Sequence, residues 1–417
     1  MDIKIDVLTR DSVAALDVAD PLAPFRDKFH LPDGVVYLDG NSLGALPKSV
    51  PDRLAQAATQ EWADGLVRSW NTAGWYDMPR RLGDKIARLI GAQSGEVVVA
   101  DSTSVNLFKV LAAALRLNAG RRVIISEPDN FPTDLYMAQG LIDLLGGQHE
   151  LKLVRAEALM DAIDSQTAVV MLTHVNYRTG YMHDMAAITA HAHANGALIV
   201  WDLAHSAGAM PVDLTAANAD FAIGCGYKYL NGGPGAPAFV YAAQRHQANF
   251  SQPLSGWMGH AQPFEFDWQY QPAEGIARYL CGTQPVLSMI ALECAVDLML
   301  TANLVQIREK SLYMADLFIR LVEERCAGHG LELVTPREPE RRGSQVCLRH
   351  PEGYPIMQTL IARGVIGDFR APDILRFGFT PLYLRYADMW DAVDILADIL
   401  NTRAWDQPAF KQRVQVT

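Results

Sequence analysis

Two polar side chains that follow apolar stretches of the sequence could do chemistry, one a carboxylate and the other an amine. The apolar run ALIVWD (197–202) ends in Asp202, and His205 follows it in DLAHSAG. Lys228 follows the next apolar run and lies in GYKYLNGGPG (226–235). A lysine near a core either extends its amine to solvent or has a lowered pKa that makes it a Schiff-base nucleophile. Taken alone, Asp202 fits a turn or a helix N-cap equally well.

The glycines after Lys228 have two interpretations, and two common nucleotide-binding motifs are absent from the sequence. Gly232, Gly233 and Gly235 either allow the backbone to approach a ligand or form a plain turn. A dinucleotide fingerprint beginning at Gly224 fails at Tyr229, and no P-loop sequence occurs. The HAH at 191–193 is a poor metal pair, because residues two apart do not share a helix face. We therefore expect no metal site.

Pyridoxal 5′-phosphate is the cofactor that this set of residues fits. It needs a lysine for its Schiff base and a carboxylate at its pyridine nitrogen, which Lys228 and Asp202 could supply. Its phosphate suits a helix N-terminus with hydroxyl groups, and Thr103 and Ser104 begin a helical pattern. Phe131, in NFPTD, could stack on the ring or simply pack in the core.

Strands that alternate with helices must position these residues. We predict strands at 96–100, 121–127, 150–155, 167–175, 197–202, 219–226 and 236–242. Helices are predicted between them, at 102–117, 132–145, 156–163 and 185–196. This alternation predicts an α/β fold with a mostly parallel sheet, at whose carboxyl edge ligands bind.

The pattern changes after about residue 284. Nearly forty residues that follow predict one long connecting helix, and shorter strands and helices then predict a small α+β domain. We expect an N-terminal segment, 1–50, that packs with the small domain. A large cofactor-binding domain would cover 51–300 and the small C-terminal domain 301–417.

Composition excludes several classes of protein. The 417 residues are 50% hydrophobic and carry a net charge of −11, with no basic run beyond two Arg pairs, which argues against a nucleic-acid partner. Five scattered cysteines do not indicate a disulfide framework. No apolar run is long enough to span a membrane, and MDIKIDVLTRD at the N-terminus lacks the features of a signal peptide. These observations predict a cytoplasmic protein.

Six motifs, taken in order, resemble those of the kynureninases. They are YLDGNSLG (37–44), NFPTD (130–134), DLAHSAG (202–208), YKYLNGGPG (227–235), SGWMGH (255–260) and LRFGFTPLY (375–383). The resemblance covers essentially the whole chain and is greatest to the bacterial form. It implies the fold-type-I pyridoxal phosphate fold of the class V aminotransferase relatives, and a homodimer with its active site at or near the interface. It also implies hydrolysis of L-kynurenine to anthranilate and L-alanine in tryptophan degradation.

The resemblance also implies a role for each matching residue. Lys228 would bind the cofactor, Asp202 would pair with the pyridine nitrogen beside His205, and Tyr227 would act as an acid or bind phosphate. Arg376 would clamp the substrate carboxylate, and Ser42 would bind substrate. The remaining cofactor contacts would be Thr103, Ser104, Phe131, Thr133, Asp134, Thr173, Trp257 and Thr283. Human-type kynureninases carry Asn where this chain has Thr283, which leaves open the preference between kynurenine and 3-hydroxykynurenine.

Three alternatives are kept open. A cysteine desulfurase or an aminotransferase could share the fold, although Cys347 lies in a predicted strand and not on a mobile loop. A catalytically dead relative would not need both Lys228 and Asp202. Arg376 lies in an apolar run, and the structural alternative to the clamp is an internal salt bridge.

Overall fold

The computed structural model describes residues 8–413. Residues 1–7 of the predicted N-terminal segment and residues 414–417 of the predicted small domain lie outside the described residues. The chain divides into a large unit, residues 49–177 and 183–301, and a small unit. The small unit takes in the described parts of 1–48 and 302–417 together with 178–182, a short segment that the sequence did not assign to it.

The large unit is built on a seven-stranded sheet. Its strands, β1–β7 in chain order, are Val97–Val99, Val123–Ser126, Glu150–Leu153, Thr167–Thr173, Leu198–Asp202, Phe221–Gly224 and Phe239–Ala242. Across the sheet their order is β1-β7-β6-β5-β4-β2-β3. Only β7 runs antiparallel to its neighbours. The prediction of a mostly parallel sheet is therefore confirmed.

Burial explains why these short apolar runs form strands and not helices. Every residue of β4 is buried, as expected for a parallel strand that is covered on both faces. The helix that follows β1 packs its apolar side chains into the core beneath the sheet. The α-helices of the large unit are Ser49–Gln56, Ser69–Thr72, Met78–Leu89, Thr103–Leu117, Pro132–Leu144, Leu159–Ala162, Met185–Ala194, Gln244–Gln247 and Val286–Met299.

The small unit is an α+β structure around a four-stranded antiparallel sheet. In sheet order its strands are Glu332–Leu333, Gln345–Arg349, Ile374–Gly378 and Asp368–Arg370. The N-terminal part of this unit adds two small pairings, Phe29–His30 with Leu46–Pro47 and Val36–Tyr37 with Val365–Ile366. Its α-helices are Arg10–Val18, Leu304–Arg325, Gly353–Ala362, Tyr386–Thr402 and Pro408–Lys411.

The prediction of one helix of nearly forty residues is wrong. The segment forms two helices, Val286–Met299 and Leu304–Arg325, with a break between them. Asn303 caps the second helix, since its side chain accepts a hydrogen bond from the N–H of Val305 at 2.8 Å. Among residues 8–413, no single helix is long and apolar enough to cross a membrane; this pair passes that test only when taken together.

Candidate functional site

The carboxyl ends of two neighbouring strands bring the first site residues together. Asp202 is the last residue of β5, and Thr173, the last residue of β4, is its partner across the parallel pairing. The backbone carbonyl of Asp202 accepts a hydrogen bond from the N–H of His174 at 2.9 Å. One side-chain oxygen accepts from the N–H of Ala204 at 2.8 Å, which fixes the carboxylate at the edge of the sheet.

Lys228 follows β6 and points its amine at the same edge. Its Nζ lies 3.0 Å from Nε2 of His205. The amine also lies 5.8 Å from the centre of the Phe131 ring and 5.9 Å from that of Tyr227. The amine is thus held beside aromatic faces and a histidine, and does not extend along the surface.

Two buried carboxyl groups, those of Asp134 and Asp202, share this environment. Asp134 lies in the first turn of the helix Pro132–Leu144. Burial, reinforced by the negative charge of Asp202, raises the pKa of Asp134 well above its usual value, while Lys228 opposes the rise. Burial also raises the pKa of Asp202, against the attraction of Lys228. The pair therefore favours holding a proton between its two carboxyl groups.

Sequence reasoning missed two residues that hold Phe131. Asn130 accepts the backbone N–H of Phe131 at 2.7 Å and the hydroxyl of Thr173, and it donates to Ser126 Oγ at 3.0 Å. Tyr177 packs edge-on against the Phe131 ring, with centroids 5.1 Å apart. The quoted NFPTD motif contained Asn130, but nothing in the sequence showed that its amide would tie two strand ends together.

A helix N-terminus provides the positive end of the site. The helix Thr103–Leu117 begins after Ser102, whose hydroxyl accepts from the N–H of Val105 at 3.4 Å. The turn before it contains Asp101, which pairs with the fully buried amine of Lys109. That amine also donates to the carbonyl of Tyr279 at 2.7 Å, which anchors the turn to the rest of the unit. The first N–H groups and hydroxyls of this helix suit a phosphate.

One cavity collects most of the predicted cofactor residues. It has a volume of about 70 Å³, and ten of the predicted residues line it: Thr103, Ser104, Phe131, Thr133, Asp134, Thr173, Asp202, His205, Tyr227 and Lys228. Tyr177 and Ala204 complete its lining. A second cavity of about 560 Å³ shares Thr103, Ser104 and Tyr227 with it and is also lined by Thr283. Trp257 lines neither cavity and stacks instead on Phe266, with centroids 6.4 Å apart.

The donor set of this cavity fits pyridoxal phosphate. An amine at one wall suits the aldehyde, and the two carboxyl groups suit the pyridine nitrogen. Asp134 Oδ2 is buried and has no hydrogen-bond partner among residues 8–413, so a buried acceptor awaits a donor. Hydroxyls and a helix N-terminus at the other end suit the phosphate.

The two predicted substrate residues, Ser42 and Arg376, belong to the small unit and contact each other. Arg376 Nη2 donates to Ser42 Oγ at 2.8 Å. Arg376 is fully buried and forms a salt bridge with Asp368, so the internal ion pair that the sequence left open does exist. The carboxylate clamp stays a prediction.

The two histidines of HAH have separate partners. His193 Nε2 lies 2.8 Å from Asp220 Oδ2, and His191 Nε2 lies 2.8 Å from the carbonyl of Met160. No group of three or more His, Cys, Asp or Glu side chains that could hold a metal ion occurs within residues 8–413.

Two family models match the chain. A kynureninase C-terminal domain model matches residues 307–396, and the DegT/DnrJ/EryC1/StrS aminotransferase family model matches residues 54–219. Among curated relatives, a kynureninase of Burkholderia pseudomallei (strain 1106a) is 59% identical over 98% of this chain and all of its own length. A kynureninase of Pseudomonas fluorescens is 58% identical over the same shares.

Solved structures show the same fold at low sequence identity. An apo cysteine desulfurase of Thermococcus onnurineus NA1 is 20% identical, with a TM-score of 0.77 over 91% of this chain and 98% of that one. A mutant of C-DES with glycine covalently linked to its pyridoxal phosphate cofactor is 17% identical, also with a TM-score of 0.77, over 89% and 99%. These likenesses confirm the fold-type-I pyridoxal phosphate fold.

Proposed function

The chain belongs to the kynureninase family, and on that premise we propose that it hydrolyses L-kynurenine to anthranilate and L-alanine with pyridoxal 5′-phosphate as its cofactor. The observation that carries the proposal is the single cavity lined by Lys228, Asp134, Asp202 and Phe131. Identity of 58–59% over nearly the whole chain supports the substrate. The proposed reaction is a step of tryptophan degradation, and 3-hydroxykynurenine is a second candidate substrate.

Each residue of the cavity has a distinct task in this proposal. Bound pyridoxal phosphate would supply an electron sink for the bonds at the substrate α- and β-carbons. Lys228 Nζ would hold the cofactor covalently and, once released by the substrate amine, take the proton from the α-carbon. Asp202, with Asp134 beside it, would hold a proton at the pyridine nitrogen. Phe131 would cover the ring and exclude water from that face.

The phosphate would lie at the helix N-terminus. Thr103 and Ser104 would donate hydroxyls and backbone N–H groups to it, and Tyr227 would add its phenol. Thr283 lines the adjoining cavity, together with Thr103, Ser104 and Tyr227. Trp257 is 42% exposed and lines neither cavity, and we propose that it contacts the phosphate bound by a second copy of the chain.

The hydrolytic step gives the reaction a signature that an aminotransferase lacks. Water adds to the γ-ketone of kynurenine, the β–γ bond breaks, and one oxygen from water ends in the carboxylate of anthranilate. Tyr227 is the candidate acid for this step, and it serves equally well as a phosphate ligand.

Because one oxygen of the anthranilate carboxylate comes from water, turnover in water enriched in heavy oxygen should label anthranilate. Unlabelled anthranilate, or an oxo acid as product, would contradict the proposal.

Arg376 gives a prediction about substrate affinity. Arg376→Lys loses the bidentate geometry and Arg376→Ala loses the charge. Both should lower kcat/KM by a factor equivalent to about 2–4 kcal/mol, which lies within the range for losing one partner of a buried charge pair. Cofactor absorbance should remain, because the predicted partner of Arg376 is the substrate carboxylate. Steady-state kinetics and absorbance check both points. An Ala variant that unfolds at ordinary temperature, or that keeps wild-type kinetics, would make Arg376 purely structural.

A desulfurase needs a reactive thiol, and Cys347, the cysteine considered from the sequence, is not suited to that role. Cys347 lies in the strand Gln345–Arg349, as predicted, and is fully buried. Burial raises the pKa of its thiol to about 11, so it is protonated at neutral pH and a poor nucleophile. The likeness to desulfurase structures extends to the fold alone.

We further propose that two copies of the chain form the working enzyme. An exposed aromatic surface in the large unit supports this, with Phe266 and Trp268 exposed by 78% and 88%. Phe264 and Phe266 both contact Trp257, at 5.5 and 6.4 Å between centroids. Exposed apolar surface of this kind favours association, and a second copy would cover it.

Sedimentation should therefore give a particle of twice the chain mass of 45.9 kDa. Phe266→Glu combined with Trp268→Glu should shift the protein toward monomers and weaken cofactor retention. A wild-type monomer at micromolar concentration would contradict the dimer.

We also propose a reducing, cytoplasmic location, which is supported by five cysteines that carry free thiols.

A further inference from the structure

A fully buried lysine is joined to the turn that precedes the phosphate-binding helix of the proposed function. Lys109 lies in the second turn of that helix, Thr103–Leu117, and has no exposed surface. Its amine pairs with the carboxylate of Asp101 and donates to the carbonyl of Tyr279 at 2.7 Å. A buried ammonium needs partners of this kind, because an unpaired charge inside a protein is costly. The ion pair therefore ties the helix to the turn before it.

This turn holds Asp101 in a backbone conformation that few side chains adopt. Its φ is +45°, in the left-handed region, where Asp and Asn are among the residues other than glycine that occur most often. Its carbonyl accepts a hydrogen bond from the N–H of Ala238 at 2.9 Å, just before β7. The carbonyl of Ala100 accepts from the buried side-chain amide of Asn106 at 2.7 Å. The start of the helix is thus held in one place.

The charge of Asp101 matters to a phosphate that binds at this helix. Among residues 8–413, Asp101 is the one charged side chain that lines the larger cavity, and its side chain is 33% exposed. Thr103 and Ser104 line the same cavity as well as the smaller one. A carboxylate in this position would repel a phosphate dianion unless a positive charge compensated it. Lys109 supplies that charge from the buried side.

We propose that Lys109 is a positioning residue for the phosphate of pyridoxal phosphate and that it acts through Asp101. The ion pair neutralises the carboxylate and holds the turn that presents the helix N-terminus. The inference rests on the proposed function in one respect, that the cofactor phosphate binds at this helix. Lys109 lines neither cavity and so does not touch the phosphate itself. Its loss weakens binding at the phosphate and leaves the aldehyde end, at Lys228, unaffected.

Titration of the apoenzyme with pyridoxal 5′-phosphate and with pyridoxal, which lacks the phosphate, separates these two ends. Absorbance of the bound ligand gives both dissociation constants, and thermal melting checks that each variant folds. Lys109→Met nearly keeps the length of the side chain and removes its charge. It should raise the dissociation constant of pyridoxal phosphate about tenfold, equivalent to about 1.4 kcal/mol, and leave that of pyridoxal within about twofold of the wild type.

Asp101→Asn should have the opposite effect, and it does not depend on the folding of Lys109→Met. Asn tolerates the left-handed conformation and can still accept a hydrogen bond from Lys109, so the turn should stay in place. The positive charge of Lys109 is then uncompensated, and the dissociation constant of pyridoxal phosphate should fall about threefold, with that of pyridoxal unchanged. The double variant has neither charge and should return near the wild-type value. An ion pair with a purely structural role would instead weaken both ligands in each variant.

Lys85→Met is the matched control. Lys85 is a partly buried lysine of the same unit that pairs with Glu293 and Asp297 and lines neither cavity, so its loss should leave both constants unchanged. Equal weakening of both ligands in Lys109→Met, or weaker binding of pyridoxal phosphate in Asp101→Asn, would overturn the inference. A wild type that binds pyridoxal as tightly as pyridoxal phosphate would also overturn it. The titrations contain no kynurenine, so a failure of the proposed hydrolysis would appear separately, as absence of anthranilate.

Discussion

Replacing Lys228 with alanine is expected to remove the absorbance of bound cofactor at about 420 nm and to lower turnover about a thousandfold. The variant should keep its fold, because the amine lies at the cavity, beside His205 and two aromatic faces. Lys228→Arg should fail equally, since a guanidinium is not nucleophilic at neutral pH. Absorbance spectra and anthranilate fluorescence measure both effects.

Lys152→Ala is a suitable control for the lysine substitution. Its amine makes a long contact, 3.5 Å, with the carbonyl of Ala162, away from the cavity. This variant should keep wild-type absorbance and turnover. Retention of either property in Lys228→Ala would mean that another amine binds the cofactor and that the assignment of Lys228 is wrong.

Replacing Asp202 with alanine is expected to weaken cofactor binding by about 2–5 kcal/mol, the cost of losing one partner of a buried charge pair. The loss leaves Asp134 alone to hold the proton at the pyridine nitrogen, and turnover should fall with cofactor affinity. Asp202→Glu keeps the charge and should be far milder. Titration of the apoenzyme with pyridoxal phosphate gives the dissociation constants. Equal damage from Ala and Glu would favour a geometric role, through the hydrogen bond from Ala204.

Much of the fold followed from local pattern. Buried parallel strands appear in the sequence as continuous apolar runs, and β4 and β5 were predicted within two residues at each end. Asp202 was placed at a strand end for the same reason. The break before Leu304 was not predictable in this way, because apolar periodicity continues through it and neither Gly nor Pro interrupts it.

The sequence motifs indicated the residues of the candidate cofactor site, but they did not indicate the contacts that depend on strand register. Ten predicted cofactor residues line one cavity, because strand ends and one helix N-terminus meet at the same sheet edge. The partner of Arg376 depends on which residue of the neighbouring strand lies opposite it, and that register places Asp368 there. The contribution of Ser42 comes from a turn more than three hundred residues away in sequence. The spacing of residues along the sequence does not reveal contacts between residues that lie so far apart in the chain.

Product analysis with two substrates tests the central claim most directly. The purified protein, loaded with pyridoxal phosphate, is incubated with L-kynurenine and separately with L-cysteine. Alanine alone does not discriminate, because a desulfurase also forms it from cysteine. The account predicts anthranilate fluorescence and an equal amount of L-alanine from kynurenine, and no sulfur release from cysteine. Alanine and released sulfur from cysteine, with no anthranilate from kynurenine, would contradict it.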